Sequence, residues 1–130
     1  MDRAEVNPWE WSKAFGFSQA VKVGAPFELL VCAGQTAIDA DGSVHEDSDM
    51  EAQVTKAFEN LGVVLAEAGF NAADVLRVNY FTTDVDALIG VLGPLASEFF
   101  GSFLPASTLV GVTRLALPQL KIEIEAIAAH

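Results

Sequence analysis

The chain has 130 residues and a mass of 13.8 kDa, which suits a single domain spanning 1–130. Hydrophobic residues make up 52% and charged residues 19%, a composition that excludes intrinsic disorder. The mean hydropathy of +0.36 is high for so small a domain, which buries only roughly two-thirds of its unfolded surface. We therefore expect apolar surface that contacts another subunit.

Charge excludes further classes of partner. Seven basic residues against 18 acidic ones give a formal net charge of −11, and no basic stripe is present, so we expect neither nucleic acid nor an anionic membrane as partner. The first residues carry no basic and apolar signal pattern, and the longest apolar runs, such as 29–33, are too short to span a membrane. The single cysteine, Cys32, is interpreted as the buried thiol of a cytoplasmic protein rather than a nucleophile.

The first half of the chain predicts two strands and a helix. A short strand is expected over 18–23, and the near-continuous apolar run 29–33 predicts a strand buried on both faces. The three-and-four spacing of apolar residues predicts a helix over about 49–68. Ser48 and Glu51 have the spacing of a capping box at its start.

The second half predicts three strands and a second helix. The segment 75–83 is rich in β-branched and aromatic residues and is expected to be a strand. Asp84 or Asp86 is expected to cap a helix that reaches Phe100 and is weakened or kinked in its middle by Gly90, Gly93 and Pro94. Two further strands are predicted over 108–115 and 120–128.

The predicted order is β-β-α-β-α-β-β, which indicates an α+β fold with one mixed sheet. Each helix links strands through a crossover, and two helices cover only one face of the sheet. Because the strands near Leu29 and Val110 are apolar on both faces, we expect sheets of neighbouring subunits to cover the second face.

Four sequence segments together resemble a known family. They are GFSQA at 16–20, AGQTAID at 33–39, PAST at 105–108 and KIEIEAIA at 121–128. In this order they resemble the Rid family of reactive intermediate deaminases, also labelled YjgF or endoribonuclease L-PSP. The resemblance extends over nearly the whole chain from Gly16 onward.

The resemblance implies a chorismate-mutase-like fold with two helices packed on one face of the sheet. It also implies a homotrimer whose sheets surround a central barrel, with a small-molecule pocket at each subunit interface. The best-known relatives hydrolyse 2-imino acids or their enamine tautomers to a 2-keto acid and ammonia. In them an arginine holds the substrate carboxylate and a glutamate helps to position water, and neither a metal nor an organic cofactor is implied.

This chain departs from the family pattern at the pocket. Ser107 stands where the deaminating members have the arginine, and Leu109 stands where a cysteine or similar residue is usual. Phe17 replaces a tyrosine, Ala33 replaces a serine, and Gly93 falls where an asparagine is expected.

Two elements of the implied site remain. Glu123 is the candidate catalytic residue, and the backbone of Gly34 is expected to contact the ligand, while Ser107 cannot balance a buried anion. The desolvation of an unpaired anion costs several kcal/mol. Arg114 lies on the opposite face of the predicted strand 108–115, and whether Arg77 of a neighbouring subunit reaches the pocket stays open.

Two functional interpretations stay open. The first is a divergent Rid protein that acts as a deaminase or hydrolase on a small neutral or cationic imine, enamine or related metabolite, with Phe17, Ala33, Gly34, Ser107 and Leu109 shaping the site. The alternative is a non-enzymatic trimer that binds a metabolite or a protein partner. A third interpretation, ribonuclease or translation inhibitor, is disfavoured by the net charge of −11.

Structural explanations stand beside the functional ones. For Glu123, the alternative to the pocket role is a solvated strand residue like Glu125 on the same face. Trp9 and Trp11 are expected to pack the N-terminal arm onto the core, with pocket closure or partner binding as the alternative. His45 lies in an acidic stretch that is interpreted as a solvated hairpin rather than a metal site.

Overall fold

Six strands and two long helices form the described structure, a computed structural model that covers residues 1–44 and 49–130. The strands are β1 (Asp2–Val6), β2 (Ala20–Gly24), β3 (Leu29–Val31), β4 (Val75–Thr82), β5 (Ala106–Gly111) and β6 (Ile122–Ala129). The helices are α1 (Met50–Glu67) and α2 (Val85–Phe100), with short 3-10 helices at Trp11–Phe15 and Ala72–Asp74. No helix in the described ranges has both the length and the apolarity of a membrane span.

The main sheet is mixed, as the strand and helix order predicts. Its strand order is β3-β6-β4-β5, in which β4 and β5 are parallel and the other pairs are antiparallel. Helix α2 is the crossover between the parallel strands. β1 and β2 form a separate antiparallel hairpin, and the Ser18 N–H beside it donates to the Pro105 carbonyl at 2.8 Å.

Both helices pack on one face of this sheet, which confirms the predicted α+β architecture. In β6, Ile122 and Ile124 are fully buried while Glu123 and Glu125 are partly exposed, so the predicted alternation is confirmed. The helices contribute the other half of this core, through Val54, Ala57, Phe58, Leu61 and Leu65 of α1 and Leu88, Leu92, Ala96 and Phe100 of α2. Burial of these apolar side chains is the main stabilising contribution.

The second face of the sheet is not covered within the chain. Leu29, Val31 and Val110 are 58%, 68% and 41% exposed, whereas Leu30 and Cys32 contact the helical core. The chain alone therefore buries one face of β3, and the predicted burial of both faces requires a covering surface from outside it.

The start of α1 differs from the prediction by one residue. The N-cap is Asp49, whose Oδ1 accepts the Ala52 N–H at 2.8 Å. Ser48, the predicted partner of Glu51 in a capping box, lies outside the described residues. An aspartate with extended backbone satisfies the free N–H groups of the first turn as well as serine does.

Helix α2 begins after Asp84, one of the two predicted caps, whose Oδ1 accepts the Ala87 N–H at 3.1 Å. The helix continues through Pro94 to Phe100, so the weak middle predicted from Gly93 and Pro94 does not end it. Packing of the apolar face against β4 and α1 outweighs the local penalty of these residues.

Two strand predictions need correction. The strand predicted over 108–115 is β5, Ala106–Gly111, and Leu115 instead packs in a small second core with Ala37 and Leu120. Arg114 consequently lies in a loop, so its predicted place on the opposite strand face is wrong. The sequence also missed β1, because its DRAEV sequence has no strand-forming run and depends on pairing with β2.

Two side-chain amides on α1 position two of the segments that resemble the family. The buried Gln53 donates to the Gln119 carbonyl at 2.9 Å and accepts the Lys121 N–H at 2.8 Å. Asn60 donates to the carbonyls of Thr36 and Ile38, each at 2.8 Å. These hydrogen bonds hold the entry to β6 and the loop after β3 against the same helix.

Cys32 is expected to be chemically inert in the native protein. It is 7% exposed, and burial raises the pKa of its thiol, so less of the reactive thiolate forms at neutral pH. We expect iodoacetamide at pH 8 to alkylate Cys32 only after urea is added, as measured by mass spectrometry. The exposed Ala66→Cys variant is the control and should react at its added thiol without urea. Alkylation of native Cys32 at the unfolded rate would contradict its burial.

Candidate functional site

A cavity of about 400 Å³ lies where the 3-10 helix Trp11–Phe15, α2, β4 and β5 meet. Its walls are mainly aromatic and aliphatic. The lining residues are Trp11, Phe15, Phe17, Tyr80, Val85, Ile89, Leu92, Gly93, Ser107 and Leu109. Size and composition are those of a small-molecule site.

The N-terminal arm forms one wall because Gly16 lets it approach α2. Gly16 has a φ of 76° and ends the 3-10 helix in the left-handed conformation. A Cβ at this position would lie 3.2 Å from both the Ala96 Cβ and the Gly93 carbonyl oxygen. Glycine therefore supplies both the turn and the close approach, and the Ser18 N–H to Pro105 hydrogen bond fixes the arm beside β5.

Trp11 and Phe15 form the open rim of the cavity. They are 55% and 54% exposed, and the Trp11 ring meets the rings of Phe15 and Phe17 edge-to-face at 6.2 and 5.7 Å. Trp9 is 58% exposed and does not line the cavity. Trp11 therefore lies at the pocket, as the alternative expectation for the two tryptophans proposed, and Trp9 does not.

Tyr80 is a wall residue that the sequence did not indicate. Its side chain is 2% exposed, and its hydroxyl has no hydrogen-bond partner among the described residues. Burial raises the pKa of the phenol, so the group stays protonated and remains a hydrogen-bond donor across the physiological range. In the sequence, Tyr80 is only a tyrosine within an apolar strand. Such a strand does not reveal which face of the sheet each residue occupies.

The structure divides the predicted site residues into two groups. Phe17, Ser107 and Leu109 line the cavity, as does Gly93. Glu123 lies elsewhere and does not line it.

The second group surrounds the Glu123 carboxylate. Gln35 pairs with Ile124 across the edge of β6, which brings Gly34 beside Glu123. A Cβ at position 34 would lie 2.6 Å from the Glu123 Cδ, so any other residue here would displace the Glu123 side chain from this position. Ala33 is exposed next to this contact.

Strand pairing places the two groups on opposite faces of the sheet. Ser107 is in register with Val78, which is fully buried beneath the helices. Glu123 is in register with Phe81, three positions further along β4. Because successive strand residues alternate between faces, Ser107 points to the helical side and Glu123 to the open side. A single chain therefore does not bring them into one site.

Neither candidate arginine lines the cavity. Arg77 lies on the open face and donates to the Thr108 hydroxyl. Arg114 donates to the carbonyls of Leu115 and Ala116, both at 3.2 Å, within its own loop. Within the described part of the chain, the cavity wall contains no basic side chain.

Metal ligation has no support in the described residues. Among residues 1–44 and 49–130 no group of three or more histidine, cysteine or carboxylate side chains is arranged to hold a metal ion. His45, considered above as a hairpin residue, lies outside the described residues.

Helices on one face of a β3-β6-β4-β5 sheet define an α+β domain of the chorismate-mutase-like class. The family described as Endoribonuclease L-PSP matches residues 10–130. The chain belongs to this family, which the sequence resemblance had indicated under its Rid name.

Relatives and solved structures agree with this assignment. The chain is 36% identical over 112 residues to a RutC family protein of Pyrococcus abyssi, covering 86% of this chain and 84% of that protein. It is 34% identical over 132 residues to the protein mmf2, mitochondrial, of Schizosaccharomyces pombe, covering both chains completely. The crystal structure of YyfB of Yersinia pestis, a Rid protein of unknown function, has a TM-score of 0.89 and 34% identity over all of both chains.

The close contact between Gly34 and Glu123 predicts a coupled mutational effect. Gly34→Ala places a methyl group against the Glu123 side chain and should lower the free energy of unfolding by about 1–3 kcal/mol. In a Glu123→Ala background the same substitution should cost less than half as much, because the obstructing side chain is gone. Urea unfolding of the four proteins at one concentration measures this. Additive losses would contradict the contact.

Proposed function

We propose that this Rid-family protein forms a homotrimer in which each ligand site combines the cavity of one subunit with Glu123 of its neighbour. The observation that carries the proposal is the placement of Ser107 and Glu123 on opposite faces of one sheet. Two copies are needed to join them, and the exposed apolar side chains of the open face provide surface for such an interface. The family resemblance supplies the number three.

The proposed reaction is hydrolysis of a small imine or its enamine tautomer. Water attacks the carbon of the protonated imine while the Glu123 carboxylate accepts a proton from that water, which gives a neutral carbinolamine. The protonated Glu123 then gives this proton to the carbinolamine nitrogen, the carbon–nitrogen bond breaks, and the carbon–oxygen double bond forms as the hydroxyl proton returns to the Glu123 carboxylate. The products are a carbonyl compound and ammonia or an amine, and no oxidant or reductant is needed.

The cavity wall favours a neutral or cationic substrate over a 2-imino acid. Ser107 offers a hydroxyl where a carboxylate would need a charged partner, and the rest of the wall is apolar. A neighbouring Glu123 would also repel an anion. We place the protein in the cytoplasm, where a single buried thiol stays reduced.

Non-enzymatic binding is the second candidate function. The observation that favours it is the absence of a basic group from the described cavity wall, since the family chemistry relies on one there. A trimer that binds a metabolite without turnover would use the same cavity, and its ligand binding would not depend on Glu123.

Replacement of Glu123 separates these two candidates. A flavin-dependent amine oxidase acting on benzylamine supplies a neutral imine, and the rate of imine decay is followed with and without the protein. Glu123→Gln should lower kcat/KM about 100-fold or more, because it removes the proton acceptor. The matched control is Glu125→Gln on the same face, where the carboxylate accepts from Asn79 at 2.9 Å, and it should stay within about threefold of wild type. No acceleration by wild type, or equal losses in both variants, would contradict the enzymatic proposal.

Replacement of Ser107 tests the substrate charge. An L-amino-acid oxidase acting on L-leucine supplies a 2-imino acid, on which the wild type should be inactive. Ser107→Arg should gain measurable hydrolysis, because a guanidinium binds the carboxylate with two hydrogen bonds. Ser107→Met has a long side chain without charge and should stay inactive. Strong wild-type activity on this anion would contradict the proposed preference.

A further inference from the structure

One residue of the cavity wall, Tyr80, has a buried hydroxyl that is an unused hydrogen-bond donor among the described residues. Ser18, Gln19 and Tyr80 each have a buried polar side-chain atom without a partner among the described residues, and of these Tyr80 lines the cavity. A buried hydroxyl left unpaired is unfavourable, so a tyrosine at this position needs a compensating contact. A phenylalanine would fill the same space without that requirement.

The walls around Tyr80 suit a flat ligand. Four of the lining side chains are aromatic, and Val85, Ile89, Leu92 and Leu109 supply aliphatic surface between them. Ile89, like the rings of Trp11 and Phe15 at the rim, is more than half exposed. A volume of about 400 Å³ accommodates one aromatic ring with a short substituent.

The polar groups of the wall are few and close together. Tyr80 is in register with Leu109, and Ser107 is in register with Val78 two positions earlier on β4. Tyr80 and Ser107 are therefore diagonal neighbours on the helical side of adjacent strands. Two hydroxyls on an otherwise apolar wall can orient one polar group of a ligand without binding a charge.

We propose that Tyr80 determines ligand specificity by donating a hydrogen bond to an acceptor atom on an uncharged aromatic ligand. This inference rests on the proposed function in taking the same cavity as the ligand site, and it extends that proposal by assigning the ligand's chemical class. An aromatic carbonyl or imine has both required features, a planar ring for the apolar walls and a lone pair for the hydroxyl.

A pair of probes with nearly the same shape tests the assignment. Acetophenone carries a carbonyl acceptor, and ethylbenzene replaces it with a methylene. Trp11 fluorescence reports binding in a Trp9→Phe background, because Trp11 lines the cavity and Trp9 does not. Wild-type Tyr80 in this background should bind acetophenone about three- to tenfold more tightly than ethylbenzene, the usual effect of one hydrogen bond.

Tyr80→Phe should abolish that difference and leave ethylbenzene binding unchanged, while Leu92→Ala, an apolar wall change, should weaken both probes alike. Equal affinity of the two probes for wild-type Tyr80 would overturn the inference. Equal weakening of both probes by Tyr80→Phe, or no binding of either probe, would overturn it as well. These are binding measurements, so their failure is distinct from a failure of imine hydrolysis to depend on Glu123.

Discussion

Alternation of side chains along a β-strand governs how this chain can build a site. Ser107 lies on the helical face and Glu123 on the open face, and the strand between them keeps both registers fixed. No rotamer change moves a side chain through a hydrogen-bonded sheet. Any chemistry that requires the cavity and the Glu123 carboxylate together therefore requires two chains.

The same constraint links stability to function. The chain buries one face of its sheet under α1 and α2 and leaves apolar residues such as Val31 and Val110 exposed on the other. In the proposed trimer, one interface covers this face and brings Glu123 to a neighbour's cavity. The Gly34 contact and the Gln53 hydrogen bonds hold the carboxylate and the start of its strand from within the subunit. The proposed carbon–nitrogen chemistry would thus depend on an assembly that the apolar surface also favours.

Much of the fold was predictable because periodicity reports burial directly. The alternation over 120–128 and the apolar stripe of 49–68 predicted β6 and α1, whereas β1 has no pattern of its own and forms only by pairing. The end of β5 was placed too late, since the apolar run continues into a loop that packs elsewhere. The candidate site came from the family resemblance, not from spacing. Tyr80 was missed because a strand that is apolar throughout does not reveal which residues face a cavity.

The proximity of Ser107 and Glu123 between subunits can be measured without any substrate. In a Cys32→Ala background, the double variant Ser107→Cys with Glu123→Cys is treated with a short bismaleimide and analysed on a denaturing gel. If position 107 of each subunit lies beside position 123 of the next around a closed ring, cross-links at every interface should give covalent trimers. Each single-cysteine variant should remain monomeric on the gel. A double variant that stays monomeric, or single variants that cross-link equally well, would contradict a site shared between subunits.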